Sequence, residues 1–141
     1  MKQVSAKLHV STQVTAADLA KAKAAGVTAI INNRPDGEEP GQPSAAENAA
    51  AAADLGLGYS HIPVAPGQYS LDEVRAFQAA MSAADGPVLA HCKTGTRSAS
   101  LYAIGEALDG RMSRDDILSL GQSLGLDLAG AVRWLDANSN N

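Results

Sequence analysis

Short apolar runs alternate in this chain with segments that each open on a helix cap, and that alternation constrains the fold more than any other feature. The runs are VTAII (27–31), YSHIPV (59–64) and PVLAH (87–91), with a further strand expected inside AKLHVST (6–12). Runs this short, bounded by turn formers, read as strands. Between and after them, Thr15 with Asp18, Ser44 with Glu47, Ser70 with Glu73 and Ser113 with Asp116 each set a hydroxyl three residues ahead of a carboxylate. That spacing lets the hydroxyl accept a first-turn N–H while the carboxylate reaches back to the cap. Gly26 closes the first helix, and the alanine-rich second ends near Gly56. Val74, Phe77 and Met81 share a face of the third, and Ile117, Leu120 and Leu124 a face of the fourth. A last short helix is expected over 128–136, and NSNN (138–141) is expected to fray.

Strands separated by helices need crossover connections, and these favour a parallel sheet covered on both faces. The expectation is therefore an α/β fold with a parallel central sheet of about four or five strands flanked by helices, in one domain over 1–141. Apolar residues make up 45% of the chain, but aromatics amount to one Phe, one Trp and three Tyr, so the core is expected to be aliphatic.

Charge and motifs narrow the function. A net charge of -4 gives no reason to expect nucleic acid or an anionic membrane as partner. One cysteine rules out an intramolecular disulfide and fits a reducing compartment. MKQVSAKLHV lacks the apolar centre of a signal peptide and no run approaches membrane-spanning length, so a cytoplasmic location is expected. His9, His61 and His91 show no ligand spacing, and no dinucleotide or phosphate-loop motif occurs; neither metal nor cofactor is expected.

The chemistry is expected in PVLAHCKTGTRS (87–98). In a parallel α/β sheet, ligands sit where strands end and helices begin. VLAH is the strand, SASLYAIGEAL (98–108) the helix, and Cys92 to Arg97 wrap the turn between them. Their backbone N–H groups can point inward as an anion nest. Gly95 lets the chain bend without a side chain filling the bowl, and Arg97 offers a planar, two-pronged donor. Inward N–H groups, a helix start and Arg97 favour a Cys92 thiolate. Ser98 is expected to donate to that sulfur, while His91 orients the loop or caps the strand. Lys93, Thr94, Gly95, Thr96 and Arg97 then form the anion-binding loop around a Cys92 nucleophile.

HCKTGTRS, together with TQVTAADLAKAKAAGVTAIINNRPDGE (12–38) and YSHIPV, resembles the bacterial beta-lactamase-hydrolase-like, phosphatase-like domain family, over roughly residues 8–108. The resemblance implies the fold of dual-specificity phosphatases, with Cys92 as nucleophile and Arg97 as anion clamp. Members are also described as sulfurtransferases. The phosphatase signature has five residues between Cys and Arg, whereas here only Lys93, Thr94, Gly95 and Thr96 intervene. That count matches the rhodanese pattern Cys-Arg-x-Gly-x-Arg, with Lys93 in place of its first arginine.

Two points tilt this reading toward sulfur. A shorter loop encloses a smaller bowl, suited to the single outer sulfur of a persulfide. HIPVAPGQYS (61–70) also lacks the acid that phosphatases use to protonate a leaving alkoxide. Asp36 is the best substitute acid, since Asp72 falls in a first helical turn where it only complements the helix dipole. Tyr59, Tyr69 and Tyr102 are minor pocket-wall candidates, and Pro66 and Gly67 are placed at the rim. The favoured expectation is a rhodanese-type sulfurtransferase passing sulfur through a Cys92 persulfide. Its partners would be a small sulfur-containing anion or a low-molecular-weight thiol or persulfide. The alternatives are a phosphatase acting on a phosphorylated substrate through a cysteinyl-phosphate, with Asp36 as its acid, and a non-catalytic anion-binding or thiol redox module.

Overall fold

The computed structural model describes residues 1–138. In chain order the elements are β1 (Lys2–Gln3), β2 (Leu8–Ser11), α1 (Ala16–Ala24), β3 (Ala29–Asn32), α2 (Ala45–Asp54), β4 (Gly58–His61), α3 (Leu71–Ala83), β5 (Val88–His91), α4 (Thr96–Leu108), α5 (Arg114–Leu124) and α6 (Ala129–Asn138). The sheet order is β1-β2-β5-β3-β4. β2, β5, β3 and β4 pair in parallel, as the alternation of runs and capped helices predicts. The exception is β1, an antiparallel edge strand that no apolar run announces. A tight turn makes it: the Ser5 hydroxyl accepts the N–H groups of Lys7 and Leu8, and Val4 donates to the Leu8 carbonyl at 2.8 Å. Of the segment expected to fray, Asn138 closes α6 and 139–141 lie outside the described residues.

The caps act as their spacing predicts. Thr15, Ser44 and Ser113 form full capping boxes with Asp18, Glu47 and Asp116. Ser70 accepts the Glu73 N–H. Successive strand side chains point to opposite faces, so β3 and β5 feed two cores. Ile31, Val88 and Ala90 join Val74, Phe77, Leu101 and Ile104 beneath α3 and α4. Ile30 and Leu89 join Val14, Leu19, Ala22 and Ala52 beneath α1 and α2. β5 lies between two parallel neighbours, and all four of its residues are buried.

The parallel strands stay stitched together past their carboxyl ends. Asn33 donates its backbone N–H to the His91 carbonyl at 2.8 Å, Ile62 to Asn32 at 2.8 Å and Val64 to Asn33 at 3.1 Å. The segments entering the cysteine turn are therefore fixed by backbone bonds before any side chain acts.

Candidate active site

Cys92 directly follows β5 and is fully buried. Its Sγ accepts the backbone N–H of Gly95 at 3.0 Å. Gly95 is the N-cap of α4 with φ +97°, a conformation that costs an L side chain about 1–2 kcal/mol. The helix therefore begins at Thr96, two residues before the sequence-based start at Ser98, and Arg97 lies in its first turn. Thr96 and Arg97 thus belong to the helix, and the turn between β5 and α4 spans only Cys92 to Gly95. Lys93 and Thr94 are exposed, and the Thr94 hydroxyl donates to Thr96 Oγ1 at 3.1 Å.

Arg97 is nearly buried and its fork is occupied by a carboxylate that sequence reasoning did not single out. Nη1 donates to Glu38 Oε2 at 2.7 Å and Nη2 to Glu38 Oε1 at 2.9 Å. Nη1 also donates to the Val64 carbonyl at 2.9 Å. Among the described residues the Nε–H of Arg97 has no hydrogen-bond acceptor, which leaves that edge available to an anion. Glu38 Oε1 also accepts from Arg34 Nε at 2.8 Å. Hydrogen bonding by Arg97, then by Arg34, holds the Glu38 carboxyl below the usual carboxylate range against the opposing effect of burial. Arg34 is itself fully buried and lies 2.9 Å from Glu39 Oε1, and Glu39 extends to Lys93 at 3.6 Å. Every cation beside the cysteine turn thus meets an acid from the loop between β3 and α2.

Asp36, the expected acid, belongs to the same loop but is engaged elsewhere: its Oδ1 accepts the Ala45 N–H at 2.8 Å, at the start of α2. The carboxylate brought to Arg97 is Glu38. Ser98 also departs from expectation, because its Oγ donates to Asn33 Oδ1 at 2.8 Å rather than to the sulfur. Among the described residues neither ring nitrogen of the buried His91 has a well-formed hydrogen bond. Burial, then the charge of Arg34, pushes His91 down to about 4, so the ring is neutral at physiological pH.

The minor candidates separate. Tyr69 lies close enough to Cys92 and Arg97 to feel their charges, and burial pushes its phenol up. Trp134 donates to its carbonyl at 2.9 Å. Tyr59 accepts from Asn32 Nδ2, and Tyr102 faces a crevice between α3 and α4. Pro66 and Gly67 form an exposed turn just after Val64, closed by the Gln68 N–H on the Ala65 carbonyl. Asp72 sits in the first turn of α3, as expected. Among the described residues no three His, Cys, Asp or Glu side chains gather where they could hold a metal ion. No helix among them is long and apolar enough to cross a membrane.

The sequence model of the family described as "Beta-lactamase hydrolase-like protein, phosphatase-like domain" matches residues 1–109. A beta-lactamase hydrolase-like protein of Agrobacterium fabrum is 46% identical over 97% of the chain. The chain spans only 32% of that relative's length. A solved candidate phosphatase from Neisseria meningitidis superposes with a TM-score of 0.85 at 34% identity, covering 96% of this chain and 95% of that one. P. aeruginosa TpbA, solved in complex with pTyr, shares the fold at a TM-score of 0.61 and 19% identity, covering 95% and 88%.

These likenesses overturn the expectation of a rhodanese-type sulfurtransferase. The matched family is phosphatase-like, the 34% identical structure is a candidate phosphatase, and the fold is that of tyrosine and dual-specificity phosphatases. The rhodanese-length spacing from Cys92 to Arg97 is a local feature of a phosphatase-like chain.

Proposed function

The chain belongs to the beta-lactamase hydrolase-like, phosphatase-like domain family, and on that premise we propose that it hydrolyses phosphate monoesters through a cysteinyl-phosphate on Cys92. The observation that carries this reading is the pairing of two features in one turn. A cysteine sulfur accepts the helix-entry N–H of Gly95, and two residues further on Arg97 has its fork fixed and its Nε edge unpaired.

In this reading the Cys92 thiolate attacks phosphorus, a P–S bond forms, and the P–O bond to the leaving group breaks with its electrons passing to that oxygen. Arg97 and those backbone N–H groups of the turn that are not given to the sulfur or to Thr94 hold the non-bridging oxygens as charge redistributes. Water then attacks phosphorus, the P–S bond breaks, and orthophosphate leaves with the thiolate restored. Glu38 is held ionised by two arginines and Asp36 is bonded to α2. The leaving group therefore departs as an anion protonated by solvent, which favours aryl over alkyl esters. The phosphotyrosine held by a protein of the same fold supports the same preference.

The test is turnover of a nitrophenyl phosphate by wild type and Cys92→Ser, with rapid quenching and intact mass measurement. Wild type is expected to show a transient gain of one phosphoryl group, and the variant to lose at least about a thousandfold in kcat. Equal turnover by the variant would refute the reading.

A further inference from the structure

We propose that Arg34 is a positioning residue for Arg97, acting through Glu38. Arg97 has a long side chain, and what it can do for an anion depends on which edge of its guanidinium faces the cysteine turn. That orientation comes from Glu38, which takes both terminal nitrogens. Glu38, however, stands on a loop between β3 and α2 that contains Pro35, Pro40 and Pro43, and its glycines 37 and 41 have positive φ. A carboxylate on an irregular loop needs a fixed point of its own.

Arg34 supplies it. Its backbone N–H donates to Asn32 Oδ1 at 2.9 Å, and its carbonyl accepts from His61 Nε2 at 2.9 Å, which ties it to the ends of β3 and β4. Its side chain reaches the β2–α1 connection through Nη1 to Gln13 Oε1 at 3.1 Å, and presents Nε to Glu38. Nε, Nη1 and Nη2 of Arg34 already face Glu38, Gln13 and Glu39, so this second guanidinium has no edge turned to an entering phosphate. It therefore orients and does not touch substrate. Misplacement of a reacting group by about 1 Å can cost on the order of a hundredfold in rate.

The functional consequence rests on the phosphatase reading, but the placement does not, so two readouts keep them apart. The first is the set of Nη–H signals of Arg97 in spectra of arginine-labelled protein, since Glu38 and the Val64 carbonyl hold those hydrogens. They are expected as resolved, slowly exchanging resonances in wild type, and as broadened and fast-exchanging in Arg34→Gln. The second is kcat/KM for a nitrophenyl phosphate with inhibition by inorganic phosphate. Arg34→Gln is expected to lower the first and raise the inhibition constant by about 10–100-fold. Arg34→Gln with Glu38→Gln is expected to be no worse than Glu38→Gln alone, because one acts through the other.

Additive losses, or an unchanged Arg97 signal in Arg34→Gln, would overturn the proposal. If Arg34→Gln does not fold, Gln13→Ala loosens Arg34 without removing a charge. It should broaden the Arg97 signal and weaken phosphate inhibition in the same direction, and no change in either would overturn the proposal. Wild type that turns over no aryl phosphate would refute only the phosphatase reading, leaving the spectra to decide the role of Arg34.

Discussion

The hydroxyl of Ser98 donates to Oδ1 of Asn33 at 2.8 Å, and Asn33 passes the connection on from Nδ2 to the Ile62 carbonyl at 2.9 Å. The first turn of α4 is thereby fastened to the segments that leave β3 and β4. Ser98 serves the shape of the turn. Ser98→Ala leaves a buried amide oxygen without its donor and should cost about 1–3 kcal/mol in denaturant stability. The kcat on an aryl phosphate should stay within about threefold. A collapse of kcat with unchanged stability would show instead that the hydroxyl serves the sulfur.

Arg97→Lys keeps the charge and loses the fork. Lysine cannot satisfy both oxygens of Glu38 and the Val64 carbonyl while still facing an anion. The kcat/KM for an aryl phosphate should fall by about 10²–10³. Glu38 retains Arg34, so the fold should survive, which circular dichroism and a melting curve would check. Retention of near-wild-type kcat/KM would mean that a point charge is sufficient there.

Asp36 gives a test of the acid step. Asp36→Asn keeps an oxygen able to accept the Ala45 N–H and should leave both stability and kcat close to wild type. Asp36→Ala removes that acceptor and should lower stability by about 1 kcal/mol without a comparable fall in kcat. A large kcat loss in Asp36→Asn, with the basic limb of the pH–rate profile gone, would restore it as the proton donor.

His91 should give the fold an acid-side weakness. Its ring titrates near 4 in the folded chain against 6.5 for the unperturbed group. The folded state favours the neutral ring, so this stability is present in full above 6.5. It is lost as pH falls from 6.5 toward 4, where the unfolded chain takes up a proton that the folded chain refuses. The slope should be about 1.4 kcal/mol per pH unit, or roughly 3 kcal/mol across that window. Urea midpoints measured against pH should show this slope in wild type and a shallower one in His91→Gln. Parallel curves would remove His91 from the account.

The scaffold was legible because its signals are local. A capping hydroxyl and its carboxylate are three residues apart, and strand alternation repeats every second residue, so short windows suffice. Cys92, Gly95 and Arg97 likewise declare themselves within one turn. What stayed hidden spans the chain: Glu38 meets Arg97 across 59 positions, and Ser98 meets Asn33 across 65. Nothing in NNRPDGEE distinguishes the acid that reaches Arg97 from the one that bonds to α2. Which acid faces Arg97 is decided by partners distant in sequence, which no local pattern encodes. Loop length misled because the count from Cys92 to Arg97 is a local feature, whereas the likeness to phosphatases is carried by the whole chain.

The capping boxes at Thr15, Ser44 and Ser113 carry a consequence for how such a protein can diversify. Each writes the beginning of its helix into its own immediate neighbours, with α2 drawing one further bond from Asp36 upstream. Insertions or exchanges upstream of a cap therefore need not shift the helix behind it. The stretch from Pro35 to Pro43 lies between the end of β3 and one such cap, so outside Asp36, Glu38 and Glu39 its sequence can change while α2 keeps its starting point.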